Sequence, residues 1–502
     1  MIGIKQRAFA PLGNVSLEEL VPLDHFYRRL ERALDLTFVR DLVTACYASG
    51  GRPSVDPVVF FKLQLVMLFE RIHSERQLMQ VVADRLSVRW YLGYDLCEPL
   101  PDHSTLTRIR DRYGLDLFRR FFDAIVERCA QADLIWGREF FFDATKVQAN
   151  ASAAAVIPRF AVEAHLATLF SSTEAAAPQD EASAALPAPV CLPVIVPDTV
   201  AAANARRHDW VAEEGRQQRD VMRHSYRRIA DFRASPTDPD ASLMPSSAGG
   251  ARLGYHTHYV VDGGKARIIL AALVTPSEVM ENQPMLDLLW HTRFRWHLWP
   301  HHVTGDTTYG TLDNIVAIER ADIRAYLPLR DANKRDPLFD RSAFTYDAAL
   351  DSYRCPRGET LRVVGHSYTE RTIRYQAPAA ACNACPLKAD CTTGRHGRQV
   401  YRNFDEAYLD RVRGYHETEP YRKAMRKRQV WIEPLFAEAK DWHGLRRFRL
   451  RRLSKVNIEA LLVASGQNIK RLLSQERFRP RLCPDAMTGE RFAPRSIAWS
   501  CS

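Results

Sequence analysis

The sequence predicts an α/β protein: a mixed sheet flanked by helices, preceded by an all-helical segment and interrupted by a small cysteine-containing insertion. Three observations carry this. Residues 1 to about 135 hold helical patterns and no clear strand. From Phe140 the order is one strand, a hairpin, then alternating strand and helix, which suits a mixed sheet with helices on its faces. Between those strands and the C-terminal helices, Cys355, Cys382, Cys385 and Cys391 crowd together.

The helical part opens clearly at "DPVVFFKLQLVMLFERI", where Asp56 precedes Pro57 at the first helical position. "SERQLMQVVADRLSVRWYLG" follows, with Ser74 as N-cap and Gly93 at its close. In "PDHSTLTRIRDRYG" the expected cap is Ser104, with Arg108, Arg110 and Arg112 behind it. "LDLFRRFFDAIVERCAQADLI" is a further amphipathic helix, and together these suit a DNA-binding bundle of helix-turn-helix type.

"FFFDATKVQAN" (Phe140 to Asn150) is short, apolar and bounded, the pattern of a buried strand with Asp143 at its end. An Ala- and Pro-rich stretch at about 151–203 reads as an insertion, followed by a charged helical run. "GYHTHYVVDGGKARIILAALVTP" is a hairpin around Asp262-Gly263-Gly264. A helix, the strand "HHVTGDTTYG", a helix near "LDNIVAIERA" and the strand "IRAYLPL" complete the order of a ribonuclease-H-like fold.

Composition narrows the function. The hydrophobic fraction of 46% and charged fraction of 26% are those of an ordinary globular protein, and no run has the length of a membrane helix. The start lacks the apolar core of a secretory signal, so a cytoplasmic protein is expected. Net charge is +10, and between Tyr421 and Val456 12 Lys or Arg face only 3 Asp or Glu. Such a single-sign run favours a nucleic-acid surface over a mixed-sign solvated face.

Asp306 in "VTGDTTYG" repeats the position of Asp143, at a strand end running into polar residues. If the two strands are neighbours, their carboxylates repel, and a hard divalent cation such as Mg²⁺ or Mn²⁺ resolves the conflict. A third acid is expected from "WIEPLFAEAKDWHGLRRFRLRRLSK". Pro434 fits a first helical position, which sets Glu433 at a helix start or kink with Phe436, Ala437 and Lys440 on its stripe. Glu438 points about 140° away. Glu433 is therefore the better ligand, with Lys440 placed to hold a phosphate. Two cations in such a cage suit phosphodiester cleavage and strand transfer.

These blocks carry a resemblance. "GRPSVDPVVFFKLQLV" through "PDHSTLTRIRDRYG" resembles the N-terminal domain of bacterial insertion-sequence transposases of the DDE class. "FFDATKVQANAS" resembles their first catalytic block, "GDTTYGT" the second, with Tyr309 three after Asp306, and "IEPLFAEAKDWHGLRRFRL" the third. The related signature often has an arginine four before the glutamate; here that position is Gln429, with Arg428 and Arg426 close by. "CNACPLKADC" with Cys355 resembles an inserted cysteine module of one branch, in which four thiolates could close a structural Zn²⁺ site; reduced, packed cysteines are the alternative.

The resemblance implies catalytic, metal-holding Asp143, Asp306 and Glu433, and DNA contacts from Lys440, Arg446, Arg447, Arg428 and Tyr309. It implies double-stranded DNA as partner, as terminal inverted repeats and target, an oligomer on DNA, and a place at the nucleoid. The expected domains are 1–135 (helical, DNA-binding), 136–330 (first part of the core), 331–400 (cysteine module), 401–475 (C-terminal catalytic helices) and 476–502 (tail). A nuclease that cuts without transposing, and an inactive DNA-binding descendant, are the rival functions.

Overall fold

The computed structural model describes residues 16–48, 54–153, 157–158, 233–245, 250–329 and 338–476. The Ala/Pro-rich insertion from residue 159, the charged run to residue 232 and the tail from residue 477 lie outside these.

The helical part comprises α1 (Leu17–Leu20), α2 (Phe26–Ala33), α3 (Val39–Val43), α4 (Pro57–Phe69), α5 (Glu75–Asp84), α6 (Leu86–Leu92) and α7 (His103–Gln131). Asp56 caps α4 by accepting from the Val58 amide at 2.8 Å, and Ser74 caps α5. At α7 the cap is Asp102 rather than Ser104: its carboxylate accepts from the Ser104 amide at 2.8 Å. The two helices expected there run together as α7 and break at Gly114, whose φ of 65° suits a residue without Cβ.

The main sheet is built from β1 (Glu139–Gln148), β4 (Ser242–Pro245), β5 (Ala251–Asp262), β6 (Ile269–Pro276), β7 (His302–Thr304) and β8 (Arg324–Tyr326). Two short strands, β2 (Ile157–Pro158) and β3 (Arg233–Ala234), pair with each other. In the main sheet β6 and β4 both pair with β5, which pairs antiparallel with β1; β7 and β8 follow in parallel. This mixed order, with helices α8 (Met285–Trp296) and α9 (Leu312–Arg320) entering between strands, is the ribonuclease-H-like arrangement. At the hairpin, buried Asp262 accepts from the amides of Trp136, Gly137 and Gly264, which accounts for it structurally.

A separate antiparallel meander of β9 (Thr345–Asp347), β10 (Ser352–Arg354), β11 (Thr360–Ser367), β12 (Thr372–Gln376) and β13 (Gln399–Asn403) has its own small core of Phe344, Tyr353, Leu361, Tyr375 and Val400. It carries the short helices α10 (Ala379–Asn383) and α11 (Lys388–Cys391), and with them the cysteines. The chain then returns through α12 (Glu406–His416), α13 (Glu419–Trp442) and α14 (Leu453–Glu476).

Helix α13 corrects one expectation. Pro434 lies inside it, not at its start, which is capped by Thr418. Proline has no N–H to give the Val430 carbonyl one turn back. That carbonyl instead accepts from the Arg267 guanidinium at 3.3 Å, so the helix passes Pro434 unbroken. Ile432, Leu435, Phe436 and Ala439 face inward, and Phe436 stacks on Tyr259 of β5. Glu438 points the other way, as its spacing predicts. It binds Lys470 and Arg471 of α14, each at 2.9 Å. Burial pushes its pKa up, but His443, Arg471 and Lys470 outweigh this and hold the carboxyl far below the usual range.

Helix α14 starts on Asp238 and Asp240, which accept from the Arg452 and Leu453 amides. It then covers the free edge of β6 with two buried asparagines. Asn457 both donates to and accepts from the backbone of Val274, and Asn468 does the same with Ile269, at 2.8–3.0 Å. The spacing matches: eleven helical residues and five strand residues each span about 16 Å. The same helix packs on α7 and α4, so one core runs from Leu30 and Phe61 through Phe140 to Ile469. No helix among the described residues is long and apolar enough to cross a membrane.

Replacing Asn468 by Ala would leave a buried N–H and C=O of β6 without partners. We expect a loss of about 2–3 kcal/mol in denaturant unfolding. A loss within error of zero would show that the edge is held by packing alone.

Candidate active site

Asp143 is not at the end of its strand. The pairing of β1 with β5 continues past it, from Asp143 opposite Tyr259 to Gln148 opposite Gly254. What ends is the other neighbour. β7 pairs with β1 only as far as Phe141 opposite Thr304, after which Gly305 leads into a turn. Two residues further along each chain stand Asp143 and Asp306, adjacent because the strands run in parallel. The apolar residues before Asp143 (Phe140, Phe141, Phe142) are fully buried and anchor the segment.

The Asp306 turn is closed by its own carboxylate, which accepts from the Thr308 amide at 2.7 Å. It also folds Tyr309 inward. Expected at the DNA, Tyr309 is instead 1% exposed, beside the two aspartates, and offers no surface to a duplex in this conformation. Burial, then the charges of Asp143, Glu281 and Asp306, drive its phenol far above the ordinary value.

Glu433 reaches the site from α13. It lines one cavity together with Asp143, Thr145, Lys440 and Arg446. Lys440 donates to the Thr145 hydroxyl at 2.5 Å, and burial, then the Arg446 charge, lowers its pKa. After α13 the chain adds itself to the end of β1: the Gln148 amide donates to the Arg446 carbonyl and the Phe448 amide to the Gln148 carbonyl. This sets Arg446 at the cavity, paired with Asp441, and Arg447 on Asn150 at 2.9 Å.

Two features escaped the sequence reading. Arg428 lies between the aspartates, its Nη2 3.0 Å from Asp143 Oδ1 and 3.9 Å from Asp306 Oδ2. The basic run marked this arginine as a DNA contact, but no spacing rule pointed it at the acids. Glu281, in the loop after β6, sits near enough to add its charge to that of Asp306. Its carboxylate stands 3.6 Å from His256 Nε2, and an acid in a loop carries no periodic signal.

Asp143 is pushed up to about 6, chiefly by burial; Arg428 and the Ala144 amide oppose this, while Asp306 and Glu281 add to it. Among the described residues, no group of three or more His, Cys, Asp or Glu side chains stands closely enough to hold a metal ion as placed. The four cysteines of the meander do share one cavity, lined also by Phe339, Ala381 and Arg398. Burial raises the Cys391 thiol; the Arg398 charge opposes this, and the other three cysteines add to it.

Two family models match the chain. One, described as "Transposase domain (DUF772)", covers residues 15–112. The other, "Transposase DDE domain", covers residues 354–473. Both matched stretches are transposase domains, and together they support an insertion-sequence transposase of the DDE class. The DDE match takes in Glu433, Lys440 and the four cysteines, while Asp143 and Asp306 lie between the two matched stretches. No curated protein and no solved structure matches the chain.

The raised pKa of Asp143 has a definite sign for stability. The folded state holds this proton more tightly than the unfolded chain, whose ordinary value is 3.8. The group's stabilising contribution is complete at pH below that value and is lost as pH rises through about 6. Asp143→Asn mimics the protonated form. In chelator, its stability should match wild type near about pH 4 and exceed it by up to about 3 kcal/mol near about pH 8. A difference independent of pH would contradict the burial argument.

Proposed function

We propose that this transposase binds the terminal inverted repeats of its element and carries out metal-dependent strand cleavage and strand transfer, with Asp143, Asp306 and Glu433 as the metal-holding acids. The observation that carries this reading is the parallel alignment of Asp143 with Asp306, together with Glu433 in the cavity that Asp143 lines. The donor set fits a hard divalent cation. It is all carboxylate oxygen, and the two aspartates already draw a cationic side chain between them. Mg²⁺ or Mn²⁺ bound there would polarise the attacking and leaving oxygens of a phosphodiester exchange.

In the first step a water oxygen attacks phosphorus and the 3′-oxygen leaves, taking a proton to become a hydroxyl. In the second, that hydroxyl oxygen attacks a target phosphodiester and gives up its proton, while the target's own 3′-oxygen departs and takes one up. The protein's part is positional. Lys440, fixed on Thr145, offers a cation to a phosphate in the cavity, with Arg446 in its lining and Arg447 beyond it on Asn150. The N-terminal helices to about residue 135 and the basic stretch around α13 supply the grip on duplex DNA, and the pairing of two element ends calls for an oligomer on DNA. Acting on the element's DNA, the enzyme would work in the cytoplasm at the nucleoid.

Zinc at the meander forms part of the proposal. Cys355, Cys382, Cys385 and Cys391 offer four soft sulfur donors around one cavity, and the Arg398 amide already donates to the Cys382 sulfur at 3.4 Å. Purified protein should carry about one zinc per chain by atomic absorption, lost in Cys385→Ser with a drop in melting temperature. Protein without zinc that melts like the variant would show the cysteines to be packing residues.

Strand transfer on inverted-repeat DNA with Mg²⁺ tests the main reading. Asp143→Asn, Asp306→Asn and Glu433→Gln should each lose cleavage by about a thousandfold or more while binding DNA normally. Full activity in any one of them removes that residue from the site. Ends that are cut but never joined to target would favour the nuclease. Arg447→Ala should lower the salt dependence of DNA binding by about one phosphate contact; an unchanged slope places Arg447 off the DNA.

A further inference from the structure

We propose that the Arg428 guanidinium holds the place of a divalent cation, so that Arg428 and the metal compete for Asp143 and Asp306. This rests on the reading of those acids as metal ligands. The geometry is direct: one terminal nitrogen of Arg428 stands 3.0 Å from Asp143 and 3.9 Å from Asp306. The side chain is 11% exposed, so the positive charge is almost wholly out of water.

Its position on α13 explains why it needs the acids. Arg428 precedes Ile432, Leu435 and Ala439 by four, seven and eleven residues, which places it on the buried, sheet-facing stripe of the helix. Its Nε is buried and has no hydrogen-bond partner. A guanidinium cannot shed its proton to relieve such a site. The neighbouring Lys427 cannot take over, because it is bound to Glu139 and lies over the rings of Trp136 and Trp431.

The arrangement also divides the three acids. Asp143 and Glu433 line one cavity, and Asp306 lies outside that lining, within reach of the same Arg428 nitrogen. A cation held by both aspartates would meet the guanidinium nitrogen that already stands against them. Like charges at that distance repel, so the arginine has to swing away as the metal enters. Metal affinity in the free protein is thereby lowered by the work of moving Arg428.

The test is a calorimetric titration of the full chain with Mn²⁺ alone, without DNA. Arg428→Gln, neutral and shorter, should bind Mn²⁺ at least about tenfold more tightly than wild type. Arg428→Lys keeps the charge on a different reach and should fall between. Mn²⁺ should also raise the melting temperature of Arg428→Gln more than that of wild type. Should Arg428→Gln fail to fold without metal, Arg428→Lys still has to bind more tightly than wild type. Asp143→Asn separates the two layers. If it loses Mn²⁺ binding while both Arg428 variants match wild type, the competition is overturned and the acids stand as ligands. If it binds Mn²⁺ like wild type, the ligand assignment fails and the competition fails with it.

Discussion

Two carboxylates that the sheet forces side by side set the terms for everything around them. The parallel register of β1 and β7 leaves Asp143 and Asp306 no means of avoiding each other, and Asp143 is buried besides. Neighbouring like charges in a poorly solvated place must gain a counter-charge or a proton. The fold supplies the first through Arg428 and tends toward the second in the raised pKa of Asp143. Other groups sharpen this crowding rather than relieve it: Glu281 adds a further negative charge, and the buried Tyr309 phenol is driven up by the acids beside it.

Helix α13 answers most of that demand, and its residues divide the work by direction. Lys427 goes to Glu139 at the start of β1, Arg428 to the aspartates, and Lys440 to Thr145 beyond them, so the helix lays three cations along one strand. Glu438 faces away and ties the helix to α14 through Lys470 and Arg471. The internal Pro434 would ordinarily bend such a helix. Arg267 takes up the carbonyl it strands, which keeps Glu433 beside β1. In the proposed role of Glu433 such rigidity matters, because a carboxylate offered to a metal has to arrive at a set place.

Much of this was legible in the sequence, for identifiable reasons. The hairpin, the strand order and the helix starts at Asp56 and Ser74 follow from turn chemistry and capping, which are local. The choice of Glu433 over Glu438 rested on angular spacing, and the structure turns the two to different sides, Glu433 to the cavity beside Asp143 and Glu438 to α14. What failed was set by distant partners. Asp143 looked like a strand end because its apolar run stops there, yet the length of β5 carries the pairing on. Pro434 looked like a helix start because nothing nearby reveals that Arg267, far away in the chain, would repair the missing bond. Tyr309 looked available for DNA because the turn that buries it depends on how β7 stops. Arg428 was visible as charge but not as geometry.

The asparagines of α14 have a consequence for how the chain is made. An uncovered outer strand is an invitation to pair with a stranger. Until Asn457 and Asn468 have been synthesised, β6 has nothing to cap its backbone, and α4 and α7 lack the surface they pack on. The ribosome therefore releases a half-built sheet long before its cover arrives. From the completion of β6 until α14 emerges, the nascent chain is an open-edged, greasy intermediate.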